Sequence, residues 1–324
     1  MKVLVTGATG FVGSHLTERL VLEGYSVKAL TREYSDVSLL KSLGVEIVYG
    51  DIRDVAALEK AVSGCEQVYH LAAATPWRGP SRQNYYTVNV IGTENLARAA
   101  IKARVNRLVH VSTAGVHGTI RIPPVYENSK TNPNSISHGT KLAGEKVVLS
   151  YYKREGLPVV IARLSSVLGP RALSWLGLFK SIAKGNFRII GSGENHVHTG
   201  CVPDVVDALR RCADTMGVEG ECYLIAGKEP IKVKEFLEMI AQELGVSASF
   251  VCLPAAPYRS LHILSTLIYR YFGFLPHSNR YELFLTDRIL CISKAQKELG
   301  YNPQVPMREE IKQTVKWYRE KGYI

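Results

Sequence analysis

Several features that would define other classes of protein are missing from this 324-residue sequence. No C-x-x-C pair occurs, and no histidine cluster accompanies a cysteine, so neither a metal site nor a dithiol redox centre is expected. Scattered cysteines in a long chain are typical of a cytoplasmic protein whose thiols stay reduced. The cysteines are Cys65, Cys201, Cys212, Cys222, Cys252 and Cys291.

Long apolar runs are also missing. The most apolar late segment, LHILSTLIYRYFGFLP, is short and contains His262 and Arg270, so no transmembrane span is expected. The start MKVLVTGATG reaches glycine before an apolar run forms, so no signal peptide is expected either. Two other roles remain open for this late segment: it contacts a membrane surface, or it covers an oily substrate.

The overall composition is that of a soluble globular protein, with 46% hydrophobic and 21% charged residues. The net charge of +11 suits an anionic ligand such as a nucleotide or a sugar nucleotide, or an acidic membrane. A solvated basic surface without a special partner explains it equally well. No motif combines basic and stacking aromatic residues, so nucleic acid is not an expected partner.

The first half of the chain alternates short β-branched runs with amphipathic stretches. Strands are predicted at KVLVT, SVKAL, VEIVYG, QVYHLAA, RLVHVST and PVVIARLSS. Helices are predicted at FVGSHLTERLVLEG, VAALEKAVSG, NVIGTENLARAAIKA and GTKLAGEKVVLSYYKREG. This alternation predicts an α/β fold with a doubly wound parallel sheet.

After about residue 170 the pattern loosens. Helices are predicted at SWLGLFKSIAKG, VPDVVDALRRCAD, VKEFLEMIAQELG and REEIKQTVKWYREKG, with short strands such as FRII and CYLIAG between them. We therefore expect residues 171–324 to form mostly a smaller α+β substrate-binding cap. No linker rich in proline, serine or glycine separates the halves, so the chain is expected to cross between them more than once.

The stretch VTGATGFVGSHL places Gly7, Gly10 and Gly13 between a strand and a helix. Gly7 allows a tight turn, Gly10 lets the backbone approach a pyrophosphate, and Gly13 lets the helix pack closely. The helix N-terminus offers N–H groups and a positive dipole end to phosphates. The turn predicts that residues 1–170 form a Rossmann-type domain that binds a dinucleotide.

The spacing G-x-x-G-x-x-G resembles the extended short-chain dehydrogenase/reductases, also called the NAD-dependent epimerase/dehydratase family. Further segments match that family in order, and together they run over nearly the whole chain. These segments are GDIRD, YHLAAAT, NVIGTENL with Asn89, VSTAGVHG, ARLSSVLGP, GSGENHVHTGCVPDVVDA with Asp204, and ISKAQKELGYNPQV. The late stretch FLPHSNRYELFLTDRILCISKAQKELGY resembles the 3β-hydroxysteroid dehydrogenase group.

The resemblance implies a set of dinucleotide contacts, with Asp51 and Ile52 standing where the family contacts adenine. An acid that would grip the ribose 2′-hydroxyl of NAD is missing at the end of the second strand, where Thr31 and then Arg32 stand. This favours NADP; NAD stays the alternative, because Glu33 follows. The implied cofactor-binding residues are Gly7, Thr9, Gly10, Phe11, Val12, Gly13, Arg32, Asp51, Ile52, Leu71, Ala72, Ala73 and Lys141.

One residue of the family's catalytic segment is missing from SISHGTKLAGE. Where related enzymes have a tyrosine four residues before the lysine, Ser137 precedes Lys141. In those enzymes the lysine contacts the nicotinamide ribose and lowers the tyrosine pKa, the phenolate takes the substrate proton, and a Ser or Thr, here Thr113, steadies the substrate oxygen. A serine hydroxyl is a far weaker acid than a phenol, whose pKa is about 10. The resemblance thus implies Thr113, Ser137 and Lys141 as the catalytic set, with its proton acceptor weakened.

Four alternatives follow from the missing phenol. The chain is a disabled enzyme, an enzyme with a relocated base or a water relayed by Ser137, a non-catalytic NADP-binding sensor or assembly protein, or, with least support, an RNA binder. His138 has a suitable pKa range, but the next residue on a helix points about 100° away, so it is expected at the surface. Tyr86 and Tyr126 are other substitutes, and His117 is expected to be structural.

The expected substrate is a small molecule, either a sugar nucleotide or a sterol-like or lipid-like alcohol. Ala114 and Gly115 stand where sugar dehydratases carry an acidic pair, which argues against dehydration. Oxidation or reduction of a secondary alcohol or ketone, or epimerisation through a transient ketone, remains. Ser166 replaces an asparagine that is usual in sugar-nucleotide enzymes. The resemblance also implies a homodimer through helices near residues 88–104 and 139–155.

Overall fold

A computed structural model of the protein describes residues 1–74, 81–185, 187–247, 250–272 and 282–324. Within these residues, seven parallel strands form one central sheet with helices on both faces. The predicted α/β fold with a doubly wound, Rossmann-type sheet is therefore confirmed. Part of the late stretch with hydroxysteroid dehydrogenase resemblance, residues 274–281, lies outside the described residues.

The strands include all six runs predicted in the first half of the chain. In chain order they are β1 (Lys2–Thr6), β2 (Ser26–Thr31), β3 (Glu46–Tyr49), β4 (Gln67–His70), β5 (Arg107–Thr113), β6 (Val159–Leu164), β7 (Val167–Leu168), β8 (Arg188–Ile190), β9 (His196–Val197), β10 (Gly200–Cys201), β11 (Cys222–Ile225), β12 (Ile231–Lys232) and β13 (Val251–Leu253). The large sheet has the order β3-β2-β1-β4-β5-β6-β11, and the strand order reverses between β1 and β4. In open parallel sheets, ligands bind at the carboxyl ends of the strands beside such a reversal.

The helices include every one predicted from the sequence, together with further ones. They are α1 (Phe11–Leu22), α2 (Ser38–Ser42), α3 (Val55–Val62), α4 (Arg82–Tyr86), α5 (Gly92–Lys102), α6 (Ile136–Glu155), α7 (Leu176–Ala183), α8 (Val202–Asp214), α9 (Val233–Leu244), α10 (Ala255–Phe272), α11 (Glu282–Leu285), α12 (Ser293–Leu299) and α13 (Met307–Glu320). A π-helical turn at Thr87–Ile91 leads into α5. None of the helices in the described ranges combines the length and apolar content needed to cross a bilayer.

Side-chain alternation along the strands builds a core on each face of the sheet. Val3 and Val5 of β1 are fully buried on the face covered by α1 and α8, whereas Leu4 is buried on the face covered by α3, α5 and α6. Burying each such side chain stabilises the fold by about 1.5–3 kcal/mol. The two cores fix the sheet between its helices, so the carboxyl ends of the strands are held at one rigid edge.

The helix that carries Lys141 starts earlier than predicted. The sequence pattern predicts a start at Gly139, but α6 begins at Ile136, because the Ser135 side chain accepts a hydrogen bond from the His138 amide at 3.2 Å and caps the helix. Ser137 and His138 therefore belong to the first turn of α6. The helix ends at Gly156, which adopts the left-handed conformation that favours glycine.

The later part of the chain packs a second, smaller core against the sheet domain. Phe179 of α7, Phe236 of α9 and Tyr318 of α13 are fully buried in it. The strand CYLIAG lies instead in the large sheet, where β11 pairs with β6 in parallel. The boundary between residues 1–170 and 171–324 remains a prediction.

Candidate active site

The glycine turn between β1 and α1 lies flush against the end of β4. Gly7 has a φ of 77°, and a Cβ there would lie 2.7 Å from the Ala72 backbone nitrogen. A Cβ at Gly13 would lie 2.1 Å from the Gly7 carbonyl oxygen. Both positions therefore require glycine. The turn is closed by the Gly10 amide, which donates to the Gly7 carbonyl at 2.9 Å.

A first cavity, of about 310 Å³, opens above this turn. Nine of the predicted contacts line it: Gly7, Thr9, Gly10, Arg32, Asp51, Ile52, Leu71, Ala72 and Ala73. Predicted Phe11, Val12 and Gly13 lie in the first turn of α1, and Lys141 is not among the lining residues. Sequence reasoning missed further lining residues, namely Leu30, Thr31, Ser35, Gly50, Ala74, Asn84 and Val88.

The first cavity fits a dinucleotide diphosphate. No side chain caps the N-terminus of α1, so the first-turn N–H groups keep their hydrogen-bonding capacity for a ligand. Side chains larger than glycine at Gly7 and Gly13 would fill the cradle that a diphosphate needs. The residues of the first cavity are thus suited to bind a diphosphate.

Asp51 and Arg32 place charges of opposite sign in the lining of the first cavity. Asp51 accepts hydrogen bonds from Arg53 Nε at 2.7 Å and Nη2 at 2.9 Å, and this ion pair lowers the Asp51 pKa. The guanidinium of Arg32, just after β2, stacks 4.8 Å from the ring centroid of Tyr34. The charge of Arg32 also contributes to lowering the Asp51 pKa, so Asp51 lies between two guanidinium groups.

A second cavity, of about 250 Å³, opens over the ends of β5 and β6. Because β4 lies beside β5, the two cavities occupy the same edge of the sheet. The second cavity is lined by Thr113, Ala114, Gly115, His138, Leu164, Ser165, Ser166 and Arg288. Among the described residues, Thr113 is the one predicted catalytic residue that lines this second cavity.

Lys141 and Thr113 are brought to the same strand end. The Lys141 amine donates to the Val111 carbonyl, two residues before Thr113 on β5. Although part of the Lys141 side chain is exposed, burial of its amine lowers its pKa to about 8, and Glu145 opposes this shift. The Thr113 hydroxyl oxygen accepts from the Gly115 amide at 3.1 Å.

Asn89, in the π-helical turn, ties the end of β4 to α6. Its Oδ1 accepts from the Ala74 amide at 2.8 Å, and its Nδ2 donates to the Thr140 hydroxyl at 2.9 Å. Thr140 directly precedes Lys141, so the segment beside the first cavity and the lysine helix are held together. π-helical turns are frequent at functional sites.

A buried ion pair supports the second cavity from beneath. Arg163 Nη2 lies 2.7 Å from Glu145 Oε2, and Ser112 also donates to Glu145. Arg163 Nη1 donates to His117 Nε2 at 3.2 Å. Burial and the charge of Arg163 lower the His117 pKa, so this imidazole is neutral and its contacts are structural.

The remaining substitutes for the missing phenol lie elsewhere. Ser137 lines neither the first nor the second cavity, and its carbonyl accepts from the Thr140 hydroxyl at 3.0 Å. Tyr86 is 52% exposed and Tyr126 is 48% exposed. Neither phenol lines either cavity.

The expectation that His138 is a surface residue is wrong. His138 is partly buried and lines the second cavity beside Thr113. Its Nδ1 lies 3.3 Å from Asn134 Oδ1, and its ring lies over Gly115. The 100° offset from Ser137 thus turns this side chain toward Gly115 after β5 and not toward solvent.

The doubly wound sheet with a glycine turn at its reversal defines a Rossmann-type protein. A sequence model of the NAD dependent epimerase/dehydratase family matches residues 3–226. The chain is 32% identical to "Sterol demethylase protein B" of Methylococcus capsulatus over 100% of both chains. It is 31% identical to "3beta-hydroxysteroid-dehydrogenase/decarboxylase isoform 1" of Arabidopsis thaliana, over 96% of this chain and 78% of the relative.

A solved structure extends these similarities to the whole fold. UDP-glucuronic acid 4-epimerase from Bacillus cereus, solved in complex with NAD, has a TM-score of 0.80 and 26% identity over 99% of both chains. The chain therefore belongs to the NAD-dependent epimerase/dehydratase family and is an enzyme of the extended short-chain dehydrogenase/reductase type. The family prediction made from the glycine turn and the later segments is confirmed.

Proposed function

We propose that this enzyme interconverts a secondary alcohol and a ketone on a sterol-like or lipid-like substrate, with NADP as its cofactor. The observation that carries the proposal is the pair of cavities on one sheet edge, the first with the glycine cradle and the second with Thr113. A nicotinamide dinucleotide supplies hydride transfer when bound. The chain would orient the substrate and the cofactor and would transfer the substrate proton.

Each part of the site has a distinct role in this proposal. Gly7, Gly10 and the N-terminus of α1 would hold the diphosphate. Arg32 would pair with a ribose 2′-phosphate, as guanidinium groups do. Lys141 would contact the nicotinamide ribose, and the Thr113 hydroxyl would steady the substrate oxygen. These roles follow from position on the sheet edge and from the family resemblance.

Helix α10, which buries polar side chains and exposes apolar ones, supports an apolar substrate. On α10, His262 and Ser265 are buried, whereas four apolar side chains point outward and are 45–59% exposed: Leu261, Ile263, Leu264 and Leu267. The Thr119 hydroxyl lies 3.5 Å from His262 Nε2, and Asn134 Nδ2 donates to Thr119 at 3.4 Å. Thr119 and Asn134 thus link α10 to His138, which lines the second cavity. Two relatives named for sterol chemistry support the same class.

Epimerisation of a sugar nucleotide is the second candidate. Arg288 lines the second cavity, and its guanidinium would pair with a diphosphate there. Under this alternative the ketone is transient and no net reduction of the cofactor accumulates. Pairing of two copies through α5 and α6, and a cytoplasmic location, remain predictions.

A substrate panel tests the proposal. The purified chain is assayed with NADP⁺ or NAD⁺ and pregnenolone, with NADPH or NADH and progesterone, and separately with UDP-galactose. We expect steroid turnover with NADP(H), monitored by nicotinamide absorbance. Conversion of UDP-galactose to UDP-glucose without steroid turnover would overturn the apolar-substrate proposal in favour of epimerisation.

A further inference from the structure

The second cavity contains an imidazole where the sequence offers no phenol. His138 and Thr113 line the same cavity of about 250 Å³, at the end of the strand that Lys141 contacts. Ser137, at the tyrosine position, does not line it. The side chain one residue further along α6 therefore brings an acid–base group to the place where the substrate oxygen would lie.

Two neighbouring residues orient the imidazole. Asn134 Nδ2 donates to the Thr119 hydroxyl at 3.4 Å, so its Oδ1 faces His138 Nδ1 at 3.3 Å and accepts from it. A neutral imidazole that donates through Nδ1 keeps its lone pair on Nε2. A base held in one tautomer by a third group is the arrangement that activates catalytic histidines.

The His138 ring can pack over position 115 because that residue is glycine. A Cβ at Gly115 would lie 2.5 Å from both Cε1 and Nε2 of His138. The Gly115 amide in turn donates to the Thr113 hydroxyl oxygen at 3.1 Å. The ring edge and the Thr113 hydroxyl are thus linked through a single residue.

We propose that His138 is the catalytic acid and base of this enzyme, a proposal that rests on the oxidoreductase function above. In the oxidation direction the substrate C–H bond breaks and its hydride passes to the oxidised nicotinamide ring. The hydroxyl O–H bond breaks, its proton passes to His138 Nε2, and the C–O bond becomes a carbonyl. The imidazolium then releases the proton to solvent, and reduction runs the same steps backwards.

The test compares His138→Gln and His138→Ala with Tyr126→Phe. Glutamine keeps a polar side chain that does not titrate, and Tyr126→Phe removes an exposed phenol that lines neither cavity. Pregnenolone oxidation with NADP⁺ is measured across pH, and NADPH affinity is measured by fluorescence titration. We expect both His138 variants to lose 10²–10⁴-fold in kcat, in the range of general acid–base catalysis. NADPH affinity should stay within about threefold, since hydrogen bonds to the cofactor are unchanged.

Two further readouts distinguish catalysis from a structural role. Added imidazole should restore part of the activity of His138→Ala but not of His138→Gln. The acid limb of the native kcat/KM profile should also disappear in His138→Gln. Undiminished turnover in both His138 variants, or loss of turnover in Tyr126→Phe instead, would overturn the proposal. The oxidoreductase function would still stand in either case.

NMR spectroscopy tests the role of His138 if the native chain neither oxidises nor reduces any of the probes. Histidine labelled at Cε1 gives one NMR resonance per ring, and the His138 resonance is the one missing from His138→Gln. With NADPH bound, we expect this resonance to shift when progesterone is added. A resonance that does not respond to progesterone would overturn the role of His138. Failure to bind any dinucleotide would instead overturn the proposed function.

Discussion

The imidazole of His138 lies in the space that a side chain at Gly115 would occupy, since a Cβ there would be 2.5 Å from Cε1 and Nε2. We therefore predict that Gly115→Ala displaces the ring and lowers steroid turnover about tenfold or more. The free energy of unfolding should change by less than about 1 kcal/mol. The group that must move is the His138 side chain and not backbone, and φ of Gly115 lies outside the left-handed region.

Gly177→Ala is the matched control for this substitution. A Cβ at Gly177, on α7, would meet nothing within 4 Å. It should leave turnover unchanged, as measured in the same steroid assay, while urea unfolding reports the stability of both variants. Native turnover in Gly115→Ala would show that the ring position is irrelevant to the chemistry.

The pKa of Lys141 predicts a pH-dependent gain of stability when its charge is removed. Burial lowers this pKa from 10.5 to about 8. Below pH 8 the folded and unfolded chains both carry the charge, so folding bears the full cost of burying it. Between pH 8 and 10.5 the unfolded chain binds more protons, so native stability rises with pH.

Lys141→Met should consequently be more stable than the native chain at pH 7, by about 1–3 kcal/mol less the lost hydrogen bond to Val111. This difference in the free energy of unfolding should shrink from pH 8 to 10, as followed by urea denaturation. Lys146→Met, at an exposed position of α6, is the control and should show no such trend. A difference that grows with pH would contradict the sign argued here.

The fold was largely predictable because its strongest signals are local. Each strand of the sheet up to β6 coincides with a β-branched run, and alternation with helices implies a parallel sheet. The glycine turn was equally readable, because the spacing of its glycines is a local pattern and Gly13 meets the Gly7 carbonyl within the turn. Residues beside predicted contacts, such as Thr31 and Gly50, were missed although the same strand ends carry them.

The second cavity was less predictable because its walls come from distant segments. Arg288 and Ser166 reach it from the late chain and from the turn after β6, and no local pattern pairs them with Thr113. His138 was misplaced for a different reason: the 100° argument considered only its own helix, whereas the glycine that makes room for the ring follows β5.

The charge of Arg32 should set the cofactor preference. Arg32→Ala is expected to weaken NADPH binding by about tenfold or more and NADH binding by less than threefold, since a hydrogen bond to a charged group contributes about 1.5–3 kcal/mol. Fluorescence titration with each nucleotide gives the ratio of the two Kd values. Arg154→Ala, an exposed arginine of α6, serves as the control. An unchanged ratio in Arg32→Ala would refute the 2′-phosphate role.

The outward face of α10 should bind membranes. Ile263 and Leu264 are 59% and 55% exposed, and the chain has a net charge of +11, so vesicles of phosphatidylcholine with phosphatidylglycerol should retain the native protein on sedimentation. Replacing both residues with glutamate should abolish retention. Leu22→Glu, which changes an 82% exposed leucine of α1, should have no effect. Equal retention of all three proteins would show that charge alone attracts the chain.

Gly13 should be the least replaceable residue of the glycine turn. Its Cβ would lie 2.1 Å from the Gly7 carbonyl oxygen and 2.8 Å from the carbonyl carbon, and both are backbone atoms that also shape the cradle. Gly13→Ala should therefore cost about 1–3 kcal/mol in the free energy of unfolding, as overpacking does, and remove detectable NADPH binding. A Cβ at Gly10 would lie 3.1 Å from the same oxygen, so Gly10→Ala should destabilise the fold less. Urea denaturation ranks the two variants, and the opposite ranking would mean that the turn relaxes around Gly13.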